Sequence, residues 1–214
     1  MKKIGIIFDV DGTLWDSSQE VAESWNEVFL RHPELDKHVS GADIKAVMGK
    51  PMDEIARIFF PVFSEAERVS ILRECEENEL DYLKAHPPKA FLGVKETFEA
   101  LSGEYPLFIV SNAQSGYIET LLAVTGLGRF VSDFINYGDN EKPKSDNIRW
   151  IAQRNGLDRY FYMGDIQADC DATIAAGGEF IHAAYGFGSI DHEVPRAGDI
   201  RELPALMAQL APAP

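Results

Sequence analysis

Ile4-Gly5-Ile6-Ile7-Phe8-Asp9-Val10-Asp11-Gly12-Thr13-Leu14 is the stretch on which the fold turns. Its first half is a short, nearly unbroken apolar run, the pattern of a strand covered on both faces of a parallel sheet. It ends on two carboxylates two residues apart. Open parallel sheets carry their ligand site at the carboxyl ends of the strands, so Asp9 and Asp11 fall where chemistry is expected. Two such acids repel unless a cation lies between them or one is protonated. A hard divalent cation such as magnesium takes carboxylate, water and phosphate oxygens. The plain alternative is a solvated Asp-Gly turn.

Working outward, four further apolar runs read as strands. They are Leu107 to Val110, a run around Phe130 to Ile135, Tyr160 to Met163, and Phe180 to Tyr185. Helical stripes lie between them: Val94, Phe98 and Leu101; Ile118, Leu121 and Leu122, closed by Gly126; and Ile148, Ile151 and Ala152, ended by Asn155-Gly156. Alternating strands and helices predict an α/β fold, a Rossmann-like doubly wound parallel sheet. The interval from Ser17 to Pro88 contains no convincing strand. Ser17 with Glu20, and Ser64 with Glu67, could open helices as capping boxes, and Met52 to Phe60 is a third helical candidate. This block is expected to be an inserted helical domain, residues 17–88, in a core of residues 1–16 and 89–214.

The bulk properties narrow the function. The chain has 214 residues, is 45% hydrophobic and carries a formal net charge of −15. That balance argues against a nucleic-acid binder, which needs a basic face. It does not exclude a small anionic substrate, because a metal ion reverses the sign locally. Cys75 and Cys170 are far apart and suggest no disulfide framework. No signal-peptide pattern or membrane-length apolar run is seen, so a cytoplasmic protein with no membrane partner is expected. The sequence does not indicate an oligomeric state.

Polar residues close two more strands. Ser111-Asn112 offers a hydroxyl, an amide and backbone N–H groups at a strand-to-helix turn, which suit a phosphate or an ordinary helix cap. Gly164-Asp165 with Asp169 gives a second acidic pair at the same sheet edge; helix N-termini also favour acids on dipole grounds alone. Lys142-Pro143-Lys144 precedes a helix beginning near Ser145-Asp146, and a lysine there could neutralise a phosphate or a carboxylate. Gly186-Phe187-Gly188 is weak evidence for a dinucleotide site, and the five histidines show no ligand pairing.

Asp9-Val10-Asp11-Gly12-Thr13-Leu14, Ser111-Asn112, the Lys142-to-Asp146 segment and Gly164-Asp165-x-x-x-Asp169 together resemble the four ordered motifs of the haloacid dehalogenase superfamily. The resemblance covers nearly the whole chain and is nearest to the phosphoglycolate phosphatase-like branch, with residues 17–88 as a C1-type helical cap. It implies that Asp9 attacks phosphorus and forms an aspartyl-phosphate, and that Asp11 protonates the leaving oxygen and then activates water. It implies Mg2+ held by Asp9, the Asp11 backbone carbonyl, Asp165 and Asp169, with Thr13, Ser111 and Asn112 on the phosphoryl oxygens. The third motif departs from the common wording. Lys142 matches relatives that read Lys-Pro-x-Pro-Asp, although Ser145 replaces the second proline. Lys144 matches those with the lysine directly before the helix and is preferred for that position. In Met48-Gly49-Lys50-Pro51, Lys50 could meet a substrate carboxylate or phosphate, or lie in solvent. Trp15, where core and insertion join, is expected to pack the hinge rather than line the pocket.

The implied function is a magnesium-dependent phosphatase acting on a small phosphorylated metabolite, phosphoglycolate-like or a sugar or nucleotide phosphate. A phosphomutase of the same superfamily is the alternative. A 2-haloacid dehalogenase fits less well, because that chemistry has no leaving oxygen for Asp11 to protonate. A non-catalytic binding protein fits least, because every expected catalytic position is filled.

Overall fold

A computed structural model describes residues 3–211. Its strands are β1 (Ile4–Phe8), β2 (Leu107–Ser111), β3 (Val131–Asn136), β4 (Arg159–Gly164), β5 (Glu179–Ala183) and β6 (Arg196–Ala197). They form one sheet in the order β3-β2-β1-β4-β5-β6, and every pairing is parallel. The sheet is thus the doubly wound kind that the apolar runs predict. β6 was not foreseen, since two residues are too short to leave a pattern.

Period-two alternation divides the core between the two faces. Ile6 and Phe8 pack on one side with Phe98, Leu101, Ile118 and Leu121. Ile7 packs on the other with Phe108, Val110, Ile148, Ile151 and Tyr162. Burial of both faces explains why β1 and β2 read as continuous apolar runs rather than alternating ones. The register then fixes the site. Phe8 lies opposite both Ile109 of β2 and Met163 of β4, so the three central strands end nearly flush. The next residues along each chain, led by Asp9, Ser111 and Asp165, emerge side by side.

The helices are α1 (Ser18–Phe29), α2 (Gly41–Lys45), α3 (Met52–Phe59), α4 (Glu65–Ala85), α5 (Val94–Ser102), α6 (Tyr117–Thr125), α7 (Lys144–Arg154), α8 (Gln167–Ala176) and α9 (Leu203–Leu210). The first four fill the interval between β1 and β2. An aromatic knot holds them together: the Trp25 ring centroid lies 5.6 Å from that of Phe59 and 6.3 Å from that of Phe29, and Phe29 is 5.9 Å from Phe60, all edge-on. Each such pair contributes about 0.5–1.5 kcal/mol beyond area burial. α4 begins with the expected capping box, where Ser64 N donates to Glu67 Oε2 at 2.8 Å. α1 does not: Ser17 makes no cap hydrogen bond, because its hydroxyl is committed to the functional site. α6 ends as expected at Gly126, whose φ of 70° supplies the left-handed cap.

The chain enters and leaves the helical block at one point. Trp15 forms an antiparallel bridge with Ala90, and Phe91 N donates to Leu14 O at 2.9 Å. Trp15 is fully buried there, with its ring edge-on to Tyr117 at 5.6 Å. Cys75 and Cys170 are free and buried. Among the described residues no helix is long and apolar enough to cross a membrane.

Candidate active site

Four ionisable side chains share the carboxyl edge of the sheet. Lys144 Nζ donates to Asp9 Oδ1 at 2.8 Å and to Asp169 Oδ1 at 2.6 Å, and all three side chains are buried. Asp165 is buried beside them, its Oδ2 accepting from Phe187 N at 2.7 Å. Carboxylate oxygens of Asp9, Asp165 and Asp169 lie within 4.8 Å of one another, the one group of potential metal ligands among the described residues. Burial drives the Asp9 carboxyl well above its usual range; Lys144 opposes this, and Asp169 and Asp165 add to it. Burial and then Asp169 push Asp165 up to about 7. Burial works against the Lys144 charge, but the carboxylates of Asp169 and Asp9 outweigh it and hold the ammonium well above its ordinary range. The donors are all hard oxygens crowded around a deficit of positive charge, the environment that suits a divalent cation such as Mg2+.

Two glycines allow this crowding. Gly12 has φ of +79°, and a Cβ there would meet Asp165 Oδ2 at 2.1 Å. At Gly186 a Cβ would meet the Asp165 Cβ and the Gly12 carbonyl, both at 2.4 Å. The Gly186-Phe187-Gly188 segment therefore packs on Asp165, with the Phe187 amide as its hydrogen-bond donor, rather than forming a nucleotide loop.

Asp11 stands apart from the acid cluster and is held by a set of its own. Its Oδ1 accepts from Ser17 Oγ at 2.8 Å, Tyr117 OH at 2.8 Å and Trp15 Nε1 at 3.0 Å. Burial raises its carboxyl above the usual range, against the pull of those three hydrogen bonds. An acid with a fixed orientation and a carboxyl shifted toward its protonated form is suited to pass a proton to a leaving group.

A narrow cleft separates the sheet edge from the helical block. Asp9, Asp11, Ser111 and Asn112 line one side, and Val21, Trp25, Ile44, Val47, Met52 and Ile55 line much of the other. Ser111 is buried, its Oγ accepting from Ala113 N at 3.2 Å. Asn112 reaches across the cleft and donates to Gly49 O at 2.7 Å. Thr13 is fully buried, and its Oγ1 has no hydrogen-bond partner among the described residues. Lys50 lines the cleft, but its ammonium is paired with Glu54 one helical turn on. Of the two motif lysines, the structure brings Lys144 to the acids. Lys142 is exposed on the preceding loop, because the helix begins at Lys144 and only that residue points inward.

With this geometry in view, residues 6–183 match the family described as haloacid dehalogenase-like hydrolase. The chain belongs to that family. Among curated relatives, it is 27% identical to the phosphoglycolate phosphatase of Escherichia coli (strain K12), covering 86% of this chain and 82% of the relative. It is 26% identical to the phosphoglycolate phosphatase of Aquifex aeolicus (strain VF5), covering 89% of each. Among solved structures, a haloacid dehalogenase-like family hydrolase from Streptococcus pneumoniae superposes with a TM-score of 0.75 at 23% identity, covering 95% of this chain and 97% of that one. The family and these relatives together support a phosphatase.

Some residues of this hydrolase's site carried no signal in the sequence. Ser17 read as a helix cap and is instead a donor to Asp11. Tyr117, at the start of α6, gave no hint of pointing toward a residue 106 positions away. Trp15 packs the hinge, as expected, but also orients Asp11 through its indole N–H. Glu79 and Gln114, both lining the cleft, belong to no motif. Only the helical period of α4, taken with Trp25 as a buried partner, could have pointed to Glu79.

Proposed function

We propose that this hydrolase is a magnesium-dependent phosphatase that cleaves a small phosphomonoester through an aspartyl-phosphate on Asp9. The observation that carries the reading is the pairing of buried Asp9 with Lys144 beside two further acids, with Asp11 held separately. Asp9 attacks phosphorus, and the P–O bond to the leaving alcohol breaks as Asp11 delivers a proton to that oxygen. Asp11, now a carboxylate, takes a proton from water as it attacks the aspartyl-phosphate, which releases phosphate and restores Asp9. Among the described residues both hydrogen bonds to Asp9 go to Oδ1, which leaves Oδ2 without one there. Lys144 offsets charge on Asp9, and in this reading Thr13, Ser111 and Asn112 hold the phosphoryl oxygens. When bound, Mg2+ held by Asp9, the Asp11 carbonyl, Asp165 and Asp169 supplies the positive charge that lets a phosphate approach a carboxylate.

In this reading α1–α4 form a cap over the sheet edge, and the Asn112–Gly49 hydrogen bond belongs to its closed state. The two free, buried cysteines suit a reducing compartment, and we place the activity in the cytoplasm.

The test is phosphate release from p-nitrophenyl phosphate and a panel of phosphometabolites, with and without Mg2+, against Asp9→Asn. We expect Mg2+-dependent release that falls at least about 10,000-fold in the variant. Activity surviving in Asp9→Asn overturns the mechanism. Isomerised sugar phosphate without free phosphate overturns hydrolysis in favour of a mutase.

A further inference from the structure

Glu79 is a buried acid that the hydrolytic steps do not use. It lies on α4, is 3% exposed and lines the cleft opposite Asp9. Its Oε2 accepts from Trp25 Nε1 at 2.7 Å and its Oε1 from Gln114 Nε2 at 2.8 Å. A carboxylate has about four acceptor sites, so acceptor capacity remains after both bonds. Burial pushes its carboxyl up to about 7, against the pull of Gln114 and Trp25 and with help from the charges of Asp11 and Glu76.

Gln114 adds an independent observation. It is 5% exposed, lines the same cleft, and its Oε1 is buried with no hydrogen-bond partner among the described residues. Once Glu79 is ionised it fixes the amide orientation, because a flipped amide would set Oε1 against the carboxylate. The free end of Gln114 is therefore an acceptor. A buried acceptor left unpaired is destabilising, and a donor on a bound molecule relieves that.

The rest of this wall is apolar. Lys50, the one cation among the described residues lining the cleft, is already paired with Glu54. An anion entering here would meet Glu79 and the Gln114 carbonyl with no free cation to receive it, and such like-charge contacts are what specificity is built from.

We infer that the leaving-group side of this site selects alcohols bearing a hydrogen-bond donor, a hydroxyl or an amine, on an apolar stem, and rejects those ending in a carboxylate. This rests on the phosphatase reading above and names the substrate class of that same site. The leaving group of phosphoglycolate carries a carboxylate, so the inference sets this chain apart from the relatives of that name.

The test uses four matched esters at pH 8, where Glu79 is mostly ionised: propyl phosphate, 3-hydroxypropyl phosphate, 3-aminopropyl phosphate and 3-phosphonooxypropanoate. p-Nitrophenyl phosphate reports the phosphatase activity itself. We expect kcat/KM for the hydroxyl and amine esters to exceed that for the carboxylate ester at least about tenfold. Glu79→Gln should shrink the amine-to-carboxylate ratio about tenfold, and Gln114→Met should erase the advantage of the hydroxyl ester over propyl phosphate. Equal or better turnover of the carboxylate ester overturns the inference. So does a ratio that Glu79→Gln leaves unchanged, or hydrolysis of p-nitrophenyl phosphate with none of the four esters cleaved. Loss of all phosphate release, p-nitrophenyl phosphate included, instead overturns the phosphatase reading on which the inference stands.

Discussion

The two walls of the cleft are both buried, yet they treat charge in opposite ways. At the sheet edge Asp9, Asp165, Asp169 and Lys144 share one small volume, with Lys144 bonded to two of the acids. On the helical wall Glu79 lies among apolar side chains and, among the described residues, is hydrogen-bonded by the neutral donors of Trp25 and Gln114. The first wall concentrates charge where it can be neutralised by a lysine and a metal. The second isolates one charge where little neutralises it. One arrangement suits a reaction that moves charge; the other suits discrimination between uncharged and charged ligands.

The contrast can be broken in three places. The largest effect is expected at Asp11→Asn. Loss of a positioned general acid costs about 100- to 10,000-fold, so steady-state turnover of an alkyl phosphate should fall by that much. p-Nitrophenolate leaves without a proton, so its first-turnover burst should survive. Equal loss of burst and alkyl turnover would remove Asp11 from its role as acid to the leaving group.

The next effect is on stability. Lys144→Met takes the cation out of the acid cluster and leaves buried carboxylates facing one another. Breaking a buried pair costs about 3–5 kcal/mol, and urea unfolding in the presence of a chelator should show it. A loss under about 1 kcal/mol, the scale of an exposed pair, would mean that the cluster is more hydrated than its geometry implies.

The smallest effect sharpens the other wall. Glu79 titrates near 7 when folded, against an ordinary value of 4.5. Between those values the folded state holds the extra proton, so its contribution to stability is full below about 4.5 and is lost as pH rises through about 7. Glu79→Gln has no proton to lose. Its stability relative to the parent should therefore rise across this window, by about 3 kcal/mol at roughly 1.4 kcal/mol per pH unit. Urea midpoints at pH 5 and pH 8 measure the difference, and an unchanged difference would contradict a desolvated acid.

The same contrast explains what could be read in advance. β1 announces itself because a strand buried on both faces must be apolar throughout, and the acids that end it stand out against that run. Asp165 and Asp169 follow from the same logic at β4. The helical wall has no such grammar. Glu79 lies in a helix that also carries Glu65, Glu67, Glu74, Glu76 and Glu77, and nothing local marks out the one that packs against Trp25. Ser17 misled for a related reason: a serine before a helix is a good cap until a buried acid six residues earlier claims its hydroxyl. Such contacts depend on packing across long sequence separations.

The bridge between Trp15 and Ala90 has a consequence for how such a chain can change. A segment whose two ends meet at one bridge is, for the sheet, only a long loop. Its residues can be replaced, lengthened or repacked without altering the register of β1 with β2 or β4. The wall that faces the sheet edge can thus change while the register that places Asp9, Ser111 and Asp165 side by side stays as it is.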